Sequence, residues 1–288
     1  MMNNLQRIIW LASYPKSGNT WMRSLLAHYF MPKGTAPDIN NLRNFTTADV
    51  RRDFYEAASN GVYNPKGPED WIKVRRRALQ LIAASKPDHH FVKTHCQITH
   101  FLNEELIPPE VTAAGIYIMR NPFDLAPSFA RHQMVDIDTA IEKMTDPATV
   151  TGAQNGVYDA LGRWDAHVDS WVHANGLPLH VIRYEDMLAK PAPTVRGMLE
   201  KFLKVKTDKP KLAYAIKATS FESMKKQEEN LGFVERPTGM QSFFTKGKSG
   251  VWKEDLSQAQ VARIREEFLP TLEEWYPELL AETGNFAG

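Results

Sequence analysis

The chain has 288 residues, enough for one large α/β domain or two smaller domains. Its 35 basic and 34 acidic side chains give a net charge of +1, so no overall field favours a nucleic acid or a membrane surface. The single cysteine, Cys96, excludes an intrachain disulfide, and the sequence shows neither a signal-peptide pattern nor the roughly 18 apolar residues of a membrane span. We therefore expect a cytoplasmic protein without a nucleic-acid or membrane partner.

The first predicted strand, residues 8–12, leads into a short loop that contains Lys16 and Gly18. A helix is predicted directly after this loop, over residues 21–30. A strand, a glycine-containing loop and a helix together present backbone N–H groups to an anion, most often a phosphate. In a Walker A loop the lysine follows the second glycine, whereas here Lys16 precedes Gly18. The pattern therefore predicts an anion-binding loop of another kind.

The rest of the chain alternates between strand patterns and helical patterns. Further strands are predicted at residues 90–95, 115–119 and 179–184. Helices are predicted at residues 48–58, 69–85, 122–133, 139–175 (interrupted near 151–155), 193–204, 211–217, 221–226 and 257–275, the last with a kink or break at Pro270. Residues 228–250 are rich in glycine, threonine, serine and lysine, which is typical of a loop.

Strands separated by helices predict βαβ units, and hence a central parallel sheet flanked by helices. We expect a single α/β domain over residues 1–288, with a P-loop-like phosphate-binding loop after the first strand. Long excursions from a compact sheet are often lids or binding loops. Residues 31–80 and 228–250 are expected to be such lids or substrate-pocket excursions.

Several charged residues are predicted at the carboxyl ends of the strands, where ligands of parallel α/β sheets bind. Lys16 follows the first strand, Lys93 and His95 end the second, and Arg120 follows the third. Period-two geometry places Lys93 and His95 on one face of their strand and Cys96 on the other. The sequence thus predicts that these basic residues converge on one ligand. Lys16, Arg120 and Ser128 would suit a ligand with two separated phosphate groups. Trp21, Tyr184 and Phe221 offer aromatic rings that could hold a base.

Six motifs, in order along residues 13–253, resemble those of the cytosolic-type sulfotransferases. Residues 14–21, YPKSGNTW, resemble the family's 5′-phosphosulfate loop TYPKSGTTW, with Ser13 and Asn19 as mild departures. Residues 120–128, which begin RNPFD, resemble its 3′-phosphate motif. The other matches are Lys-Thr-His at 93–95, Tyr-Glu-Asp at 184–186, Thr-Ser-Phe at 219–221, and KGKSGVWK at 246–253, which resembles the signature RKGxxGDWK.

This resemblance implies transfer of a sulfuryl group from 3′-phosphoadenosine 5′-phosphosulfate (PAPS) to a hydroxyl or amine of a small-molecule acceptor. It assigns His95 as the general base for in-line attack, and Lys16 and Lys93 as the cations that stabilise the leaving phosphate. PAPS is the expected donor, adenosine 3′,5′-bisphosphate (PAP) the product, and no metal is expected. The implied donor-binding residues are Lys16, Ser17, Gly18, Asn19, Thr20, Trp21, Arg120, Ser128, Tyr184, Thr219, Phe221, Lys246 and Gly247.

The last motif departs from the family pattern. Thr245 stands in place of the first arginine of RKGxxGDWK, so one 3′-phosphate contact is either lost or supplied by Lys246 or Lys248. Val251 stands in place of its aspartate. The dimerisation motif KxxxTVxxxE is absent after Trp252, which leaves the oligomeric state open.

Two other functions are compatible with parts of the sequence. A P-loop-type nucleotide kinase or NTPase shares the expected architecture but requires the missing Gly-Lys-Ser/Thr. A non-catalytic nucleotide-binding protein would share the loop but has no need of both Lys16 and His95. The acceptor itself has no signature in the sequence.

Overall fold

The short apolar runs of the sequence form the main sheet. In the computed structural model, which describes residues 5–152 and 156–284, the strands are β1 (Ile8–Ala12), β2 (Thr47–Ala48), β3 (His90–Thr94), β4 (His100–Phe101), β5 (Glu104–Glu105), β6 (Thr112–Met119), β7 (Val150–Thr151), β8 (Asp159–Ala160) and β9 (Leu179–Arg183). The main sheet has the order β2-β3-β1-β6-β9, and β4-β5 and β7-β8 are separate two-stranded pairs.

The register of β1 places two loops side by side. β1 is parallel to both β3 and β6, and β2 is parallel to β3. Ala12 at the end of β1 lies opposite Thr94 at the end of β3. The next residues, Ser13 and His95, therefore leave the sheet as neighbours, and Ser13 N–H donates to the carbonyl of Thr94 at 3.3 Å.

Helices alternate with these strands along the described residues. They are α1 (Asn19–Phe30), α2 (Arg52–Ala58), α3 (Pro68–Ala84), α4 (Pro122–Gln133), α5 (Ile137–Thr145), α6 (Trp164–Val172), α7 (Tyr184–Ala189), α8 (Pro191–Gly197), α9 (Lys209–Ala218), α10 (Phe221–Leu231), α11 (Trp252–Asp255), α12 (Gln258–Glu267), α13 (Leu269–Trp275) and α14 (Pro277–Gly284). None of the helices in this described part of the chain is both long and apolar enough to cross a membrane.

The described residues fall into two compact units. The first is drawn from Met1–Tyr14, Thr46–Tyr117 and Asp146–Val181, and the second from Pro15–Phe45, Ile118–Thr145 and Ile182–Gly288. The first unit holds most of the main sheet, and its strand residues Trp10, Leu11 and Val92 are all fully buried. Burial of successive residues is expected of parallel strands, because both faces of such a sheet are covered.

The second unit is mostly helical and has its own apolar cluster. Ile39, Met224 and Phe233 are buried together, with Trp21, Phe243 and Phe244 packed against them. Helix α4 begins where the sequence predicts, because the Asn121 side chain accepts the backbone N–H of Asp124 at 2.8 Å and Pro122 occupies the first turn.

The predicted α/β fold, with a central parallel sheet and a P-loop-like loop after β1, is confirmed. The interrupted helical stretch predicted over residues 139–175 is present as α5 and α6, but the interruption is longer than predicted. Helix α5 ends before Pro147, which disfavours helix at the preceding residue, and the β7-β8 pair intervenes. Of the predicted interruption, residues 153–155 lie outside the described residues. The single-domain and lid assignments stay predictions.

One further boundary differs from that predicted: helix α10 continues to Leu231, so the segment 228–250 begins as helix. The kink or break predicted at Pro270 is confirmed, because the C-terminal helix divides at Phe268 into α12 and α13; α14, which was not predicted, follows. Proline lacks the N–H that a continuous helix needs at that point.

Candidate active site

His95 lies directly after β3 in the first unit, and its imidazole is fixed by the end of β1. Nδ1 donates to the backbone carbonyl of Ser13 at 2.7 Å, and the Ser13 hydroxyl lies 3.3 Å from the same nitrogen. A carbonyl oxygen only accepts hydrogen bonds, so Nδ1 carries the proton of the neutral ring. The basic lone pair of His95 is therefore on Nε2.

His167 on α6 holds the backbone of His95. Its Nε2 donates to the His95 carbonyl at 3.1 Å, and its Nδ1 accepts the Tyr117 hydroxyl at 2.8 Å. Burial lowers the pKa of His167 to about 4, so the ring is neutral at physiological pH. The Trp171 indole, on the same helix, donates to the Cys96 carbonyl at 3.1 Å. Helix α6 thus anchors residues 95–96.

Acidic and basic side chains lie close together beside the end of β3. Asp159 interacts electrostatically with Asp49, Lys93 and Arg75. Asp49, which is buried, forms an ion pair with Arg75 at 2.6 Å. Burial and then the charge of Asp49 raise the pKa of Asp159, whereas Lys93 and Arg75 oppose that rise. Neither Asp159 nor His167 belongs to a motif, so local pattern does not distinguish them from other polar residues.

A cavity of about 290 Å³ lies in the first unit. Its walls mix apolar side chains with polar and basic ones, the latter including Gln97, Thr99, His100, Thr149 and Arg163. Gln97 lies two residues beyond His95 in the chain. A volume of this size is at the lower end of the range for small-molecule sites.

The loop after β1 enters the second unit with an unusual backbone. Lys16 and Gly18 have φ angles of 71° and 101°, both in the left-handed region. A Cβ on Gly18 would lie 2.7 Å from Cδ2 of Tyr184, so only glycine fits at this position. At Lys16 this conformation costs about 1–2 kcal/mol, and such strain is found most often at functional sites.

Lys16 and Arg120 are brought together in the second unit. Nη1 of Arg120 donates to the Lys16 carbonyl at 3.0 Å, and its guanidinium lies 4.6 Å from the centroid of the Tyr184 ring. The ammonium of Lys16 lies 3.3 Å from the centroid of the Phe243 ring. Cations over aromatic faces are stabilised by the ring quadrupole, so both side chains have defined positions.

Several donors near this loop are buried without a partner. Within residues 5–152 and 156–284, Nε of Arg120, Oγ of Ser17 and Nε1 of Trp21 have no hydrogen-bond acceptor. Buried polar groups are nearly always satisfied, by protein, water or ligand. An anionic ligand supplies the acceptors that Arg120 and Ser17 lack, so these residues fit a phosphorylated donor.

Tyr184 packs between the residues predicted to bind the nucleotide. Its ring meets Trp21 edge-on, with centroids 5.9 Å apart, and it also contacts Gly18 and Arg120. The next residue, Glu185, accepts the side-chain amide of Asn121 at 2.7 Å. The Tyr-Glu-Asp motif therefore contacts both the loop after β1 and the start of α4.

Asp124 ties the start of α4 to the glycine-rich segment before α11. Its carboxylate accepts the Ser249 hydroxyl at 3.0 Å, the Gly250 N–H at 2.8 Å and the Trp252 N–H at 3.0 Å. Asp124 is fully buried. Its three long-range acceptor contacts have no local signal in the sequence.

Glu228 likewise fixes the backbone of Phe243 and Phe244 through its carboxylate. Its carboxylate accepts the N–H of Phe243 at 2.7 Å and of Phe244 at 2.9 Å. The ring that lies under Lys16 is thus fixed by a buried carboxylate on α10.

The remaining predicted donor residues are also in the second unit. Asn19 and Thr20 open α1, and Ser128 lies within α4; all three are buried. The Thr219 hydroxyl donates to the Ala215 carbonyl at 2.8 Å, so it serves the end of α9.

Lys246 pairs with Asp255 at 2.7 Å and with Glu254 at 3.4 Å. Those acidic partners raise the pKa of Lys246. Gly247 lies against Phe221, where a Cβ would overlap the ring.

Most of the predicted site is thus distributed between two groups. Lys93 and His95 lie together in the first unit, and Lys16 and Arg120 make contact in the second. The donor-binding and catalytic roles of these residues stay predictions. The expectation that no metal is needed also stays a prediction; among the described residues, Asp49, Cys96 and Asp159 place potential ligand atoms within 4.8 Å of one another.

Comparison with known proteins identifies the chain. The family described as "Sulfotransferase domain" matches residues 6–278. Cytosolic sulfotransferase 17 of Arabidopsis thaliana is 26% identical over 277 residues, covering 88% of this chain and 71% of the relative. Flavonol 3-sulfotransferase of Flaveria bidentis is 23% identical over 271 residues, covering 89% and 78%.

A crystal structure of mouse sulfotransferase SULT7A1 complexed with PAP has the same fold. Its TM-score is 0.60 at 19% identity, and the match covers 100% of this chain and 95% of the mouse chain. The family match spans almost the whole chain and includes every motif on which the predicted resemblance depends. The resemblance is confirmed: the chain belongs to the sulfotransferase domain family and is a sulfotransferase.

Proposed function

We propose that this sulfotransferase moves a sulfuryl group from PAPS to a hydroxyl or amine of a small-molecule acceptor, with His95 as the general base. The observation that carries the proposal is the 2.7 Å hydrogen bond from His95 Nδ1 to the Ser13 carbonyl. This bond selects the tautomer whose lone pair is on Nε2, the form a base needs to take a proton from an acceptor hydroxyl.

The backbone contacts of His95 support the same role. A general base acts best when its ring is already oriented, because geometry lost during reaction lowers the rate. The Ser13 carbonyl fixes the ring, while the neutral His167 fixes the His95 carbonyl at 3.1 Å. His167 itself is a poor base, because burial lowers its pKa to about 4.

PAPS supplies the sulfuryl group and carries the bisphosphate leaving group. Lys16 and Lys93 are proposed to stabilise the charge that develops on the 5′-phosphate, as fixed cations do in phosphoryl transfer. The strained loop supports 5′-phosphosulfate binding by residues 16–20, as does the Ser17 hydroxyl, which has no hydrogen-bond partner among the described residues. Nε of Arg120, which likewise has no partner in the described part of the chain, supports a 3′-phosphate site that also includes Ser128.

The other predicted contacts have different structural surroundings. Trp21, Tyr184 and Phe221 are proposed to border the adenine, with Thr219 nearby. Lys246 would bind phosphate only after releasing Asp255 and Glu254, so we expect it to contribute less than Arg120. Gly247 allows its backbone to approach closely, because it carries no Cβ against Phe221.

The acceptor is proposed to be a small hydroxylated compound. The cavity of about 290 Å³ combines apolar walls with basic and amide groups that could orient a polar ring system. One relative is named a flavonol 3-sulfotransferase, and a structural neighbour was crystallised with retinol and PAP. The proposed cellular location is the cytoplasm.

The test is transfer from radiolabelled PAPS to a panel of phenols, flavonols, sterol alcohols and aryl amines. We expect labelled product with at least one class and stoichiometric release of PAP. Magnesium-dependent hydrolysis of ATP, together with a larger thermal shift from ATP than from PAP, would contradict the proposal. PAPS binding without transfer to any acceptor would favour a non-catalytic nucleotide-binding protein instead.

Lys16→Ala tests the donor site separately. We expect it to weaken PAP binding and to lower the transfer rate, each by at least about ten-fold, because a charge-assisted contact of roughly 1.5–3 kcal/mol is lost. Lys33→Ala is the matched control, since Lys33 is exposed and lies 5.7 Å from the Tyr214 ring centroid. Equal PAP affinity in the two variants would refute the loop assignment.

A further inference from the structure

Phe243 lies outside the six motifs, yet its ring contacts a residue of the proposed donor site. The ammonium nitrogen of Lys16, Nζ, lies 3.3 Å from the centroid of that ring. Both residues belong to the second unit. Nζ is buried, and an aromatic face attracts a cation more strongly where water is excluded. The ring is therefore one of the groups that set the position of this ammonium.

The Phe243 ring is itself held in place by its neighbours. Three rings pack against it at steep angles, with centroid distances of 4.8 Å to Phe233, 5.2 Å to Phe244 and 5.9 Å to His132. The backbone N–H of Phe243 donates to the buried carboxylate of Glu228 at 2.7 Å. The ring thus presents a fixed face to the ammonium.

A ring face and a carboxylate act differently on a lysine. The ring quadrupole attracts an ammonium but carries no net charge, so the full positive charge remains available to a phosphate. A carboxylate cancels the charge of its partner, as Asp255 does at Lys246, 2.7 Å away. Lysine also has a long flexible stem, which must be ordered before its charge can act at one place. Phe243 can therefore order Lys16 without neutralising it.

We propose that Phe243 is a positioning residue for sulfuryl transfer, whose ring holds the Lys16 ammonium in place and leaves its charge for the 5′-phosphate of the departing PAP. The inference rests on the proposed role of Lys16 at that phosphate. A cation that is already in place stabilises the developing charge best, because no reorganisation is then needed during the reaction. PAP carries the same 5′-phosphate, so its affinity for the protein reports on this contact without an acceptor.

Fluorination of the ring tests the electrostatic part of this role. Each fluorine withdraws electron density from the ring face and weakens its attraction for a cation, while the size and apolar character of the ring change little. Mono-, di- and trifluorinated phenylalanine are introduced in turn at position 243 of the full-length protein. We expect PAP affinity to fall with each added fluorine, by about 5- to 30-fold for the complete series.

The same series at Phe244 is the matched control. Phe244 packs in the same apolar cluster, and its N–H donates to the same Glu228 carboxylate at 2.9 Å. No cation lies over its ring in the part of the chain that the structure describes. Its fluorinated variants should bind PAP within about two-fold of the wild type, because they lose no cation contact.

The direction of the trend at position 243 decides between three roles of the ring. A stepwise fall in PAP affinity supports positioning of Lys16. A stepwise rise would show that the ring competes with the phosphate for the ammonium. Unchanged affinity, with an unchanged melting temperature, would show that Phe243 only packs in the apolar cluster. Either of the last two results overturns the proposal.

A double-mutant cycle separates this inference from the proposed function. Phe243→Leu removes the ring face, and in the Lys16→Ala background it should lower PAP affinity by less than about two-fold, since no ammonium remains to be positioned. A loss of about 5- to 30-fold that persists in that background would overturn the positioning role. Wild-type PAP affinity in Lys16→Ala alone would instead overturn the proposed role of Lys16. Should Phe243→Leu fail to fold, trifluorinated phenylalanine at position 243 replaces it in the cycle.

Discussion

Asp124→Asn is expected to loosen the glycine-rich segment that carries Lys246 and Gly247. The substitution preserves the shape of a buried side chain that accepts hydrogen bonds from Ser249, Gly250 and Trp252. Oδ2 receives the first two contacts and Oδ1 receives the Trp252 N–H. An amide has one oxygen, so its NH₂ group must oppose at least one of these donors.

The magnitude follows from the hydrogen-bond geometry. With the amide oxygen at the Oδ2 position, each of the contacts to Ser249 and Gly250 changes from charge-assisted to neutral and loses about 1 kcal/mol. The Trp252 N–H becomes unsatisfied, which costs about 1–3 kcal/mol. The segment should therefore lose about 3–5 kcal/mol of stabilisation, enough to populate an open form.

Limited trypsin digestion and PAP titration measure this loss. We expect faster cleavage after exposed Lys248 and PAP binding weakened by at least about ten-fold. Asp169→Asn is the control, since Asp169 is 70% exposed and pairs only at the surface with His173. Wild-type digestion and PAP affinity in Asp124→Asn would refute the role assigned to these contacts.

Three further predictions concern a buried histidine, a close approach and a guanidinium. The pKa of His167 is about 4 in the folded protein and about 6.5 in the unfolded chain, so acid favours unfolding. The contribution of the neutral His167 ring to stability is complete above pH 6.5 and falls by about 3 kcal/mol as the pH drops to about 4. Urea unfolding of the wild type and His167→Gln should show that difference in pH dependence, and parallel curves would contradict it. Gly247→Ala adds a Cβ against Phe221 at a φ of 59°, and we expect PAP affinity to fall by at least about ten-fold, whereas Gly176→Ala, in open space, should not change it. Arg120→Lys cannot keep both the bond to the Lys16 carbonyl and the position over Tyr184, so PAP affinity should fall about ten-fold; an unchanged value would remove Arg120 from the donor site.

Local pattern was sufficient to predict the parts of the fold that depend on neighbouring residues. The apolar run of β1 and the start of α4 at Asn121 are both encoded within a few positions. In residues 139–175, by contrast, local pattern was not sufficient. Helical periodicity correctly indicates α5 and α6, but between them Pro147 and the β7-β8 pairing prevent helix.

In the candidate site, too, local pattern does not reveal contacts between residues that are far apart in the sequence. Lys16, Arg120 and His95 were found from motifs, because each stands beside the carboxyl end of a strand. His167 contacts His95 from 72 positions away, and nothing local distinguishes it from an ordinary polar residue. Long-range partners of a catalytic backbone become visible only when the chain has been folded.

Single-turnover transfer by His95→Ala shows whether His95 takes the proton of the acceptor. With enzyme in excess over radiolabelled PAPS, we expect a transfer rate about 10²- to 10⁴-fold below that of the wild type. PAP affinity should be unchanged, and His173→Ala, at an exposed histidine, should behave as the wild type. Near-normal transfer by His95→Ala would exclude His95 as the general base.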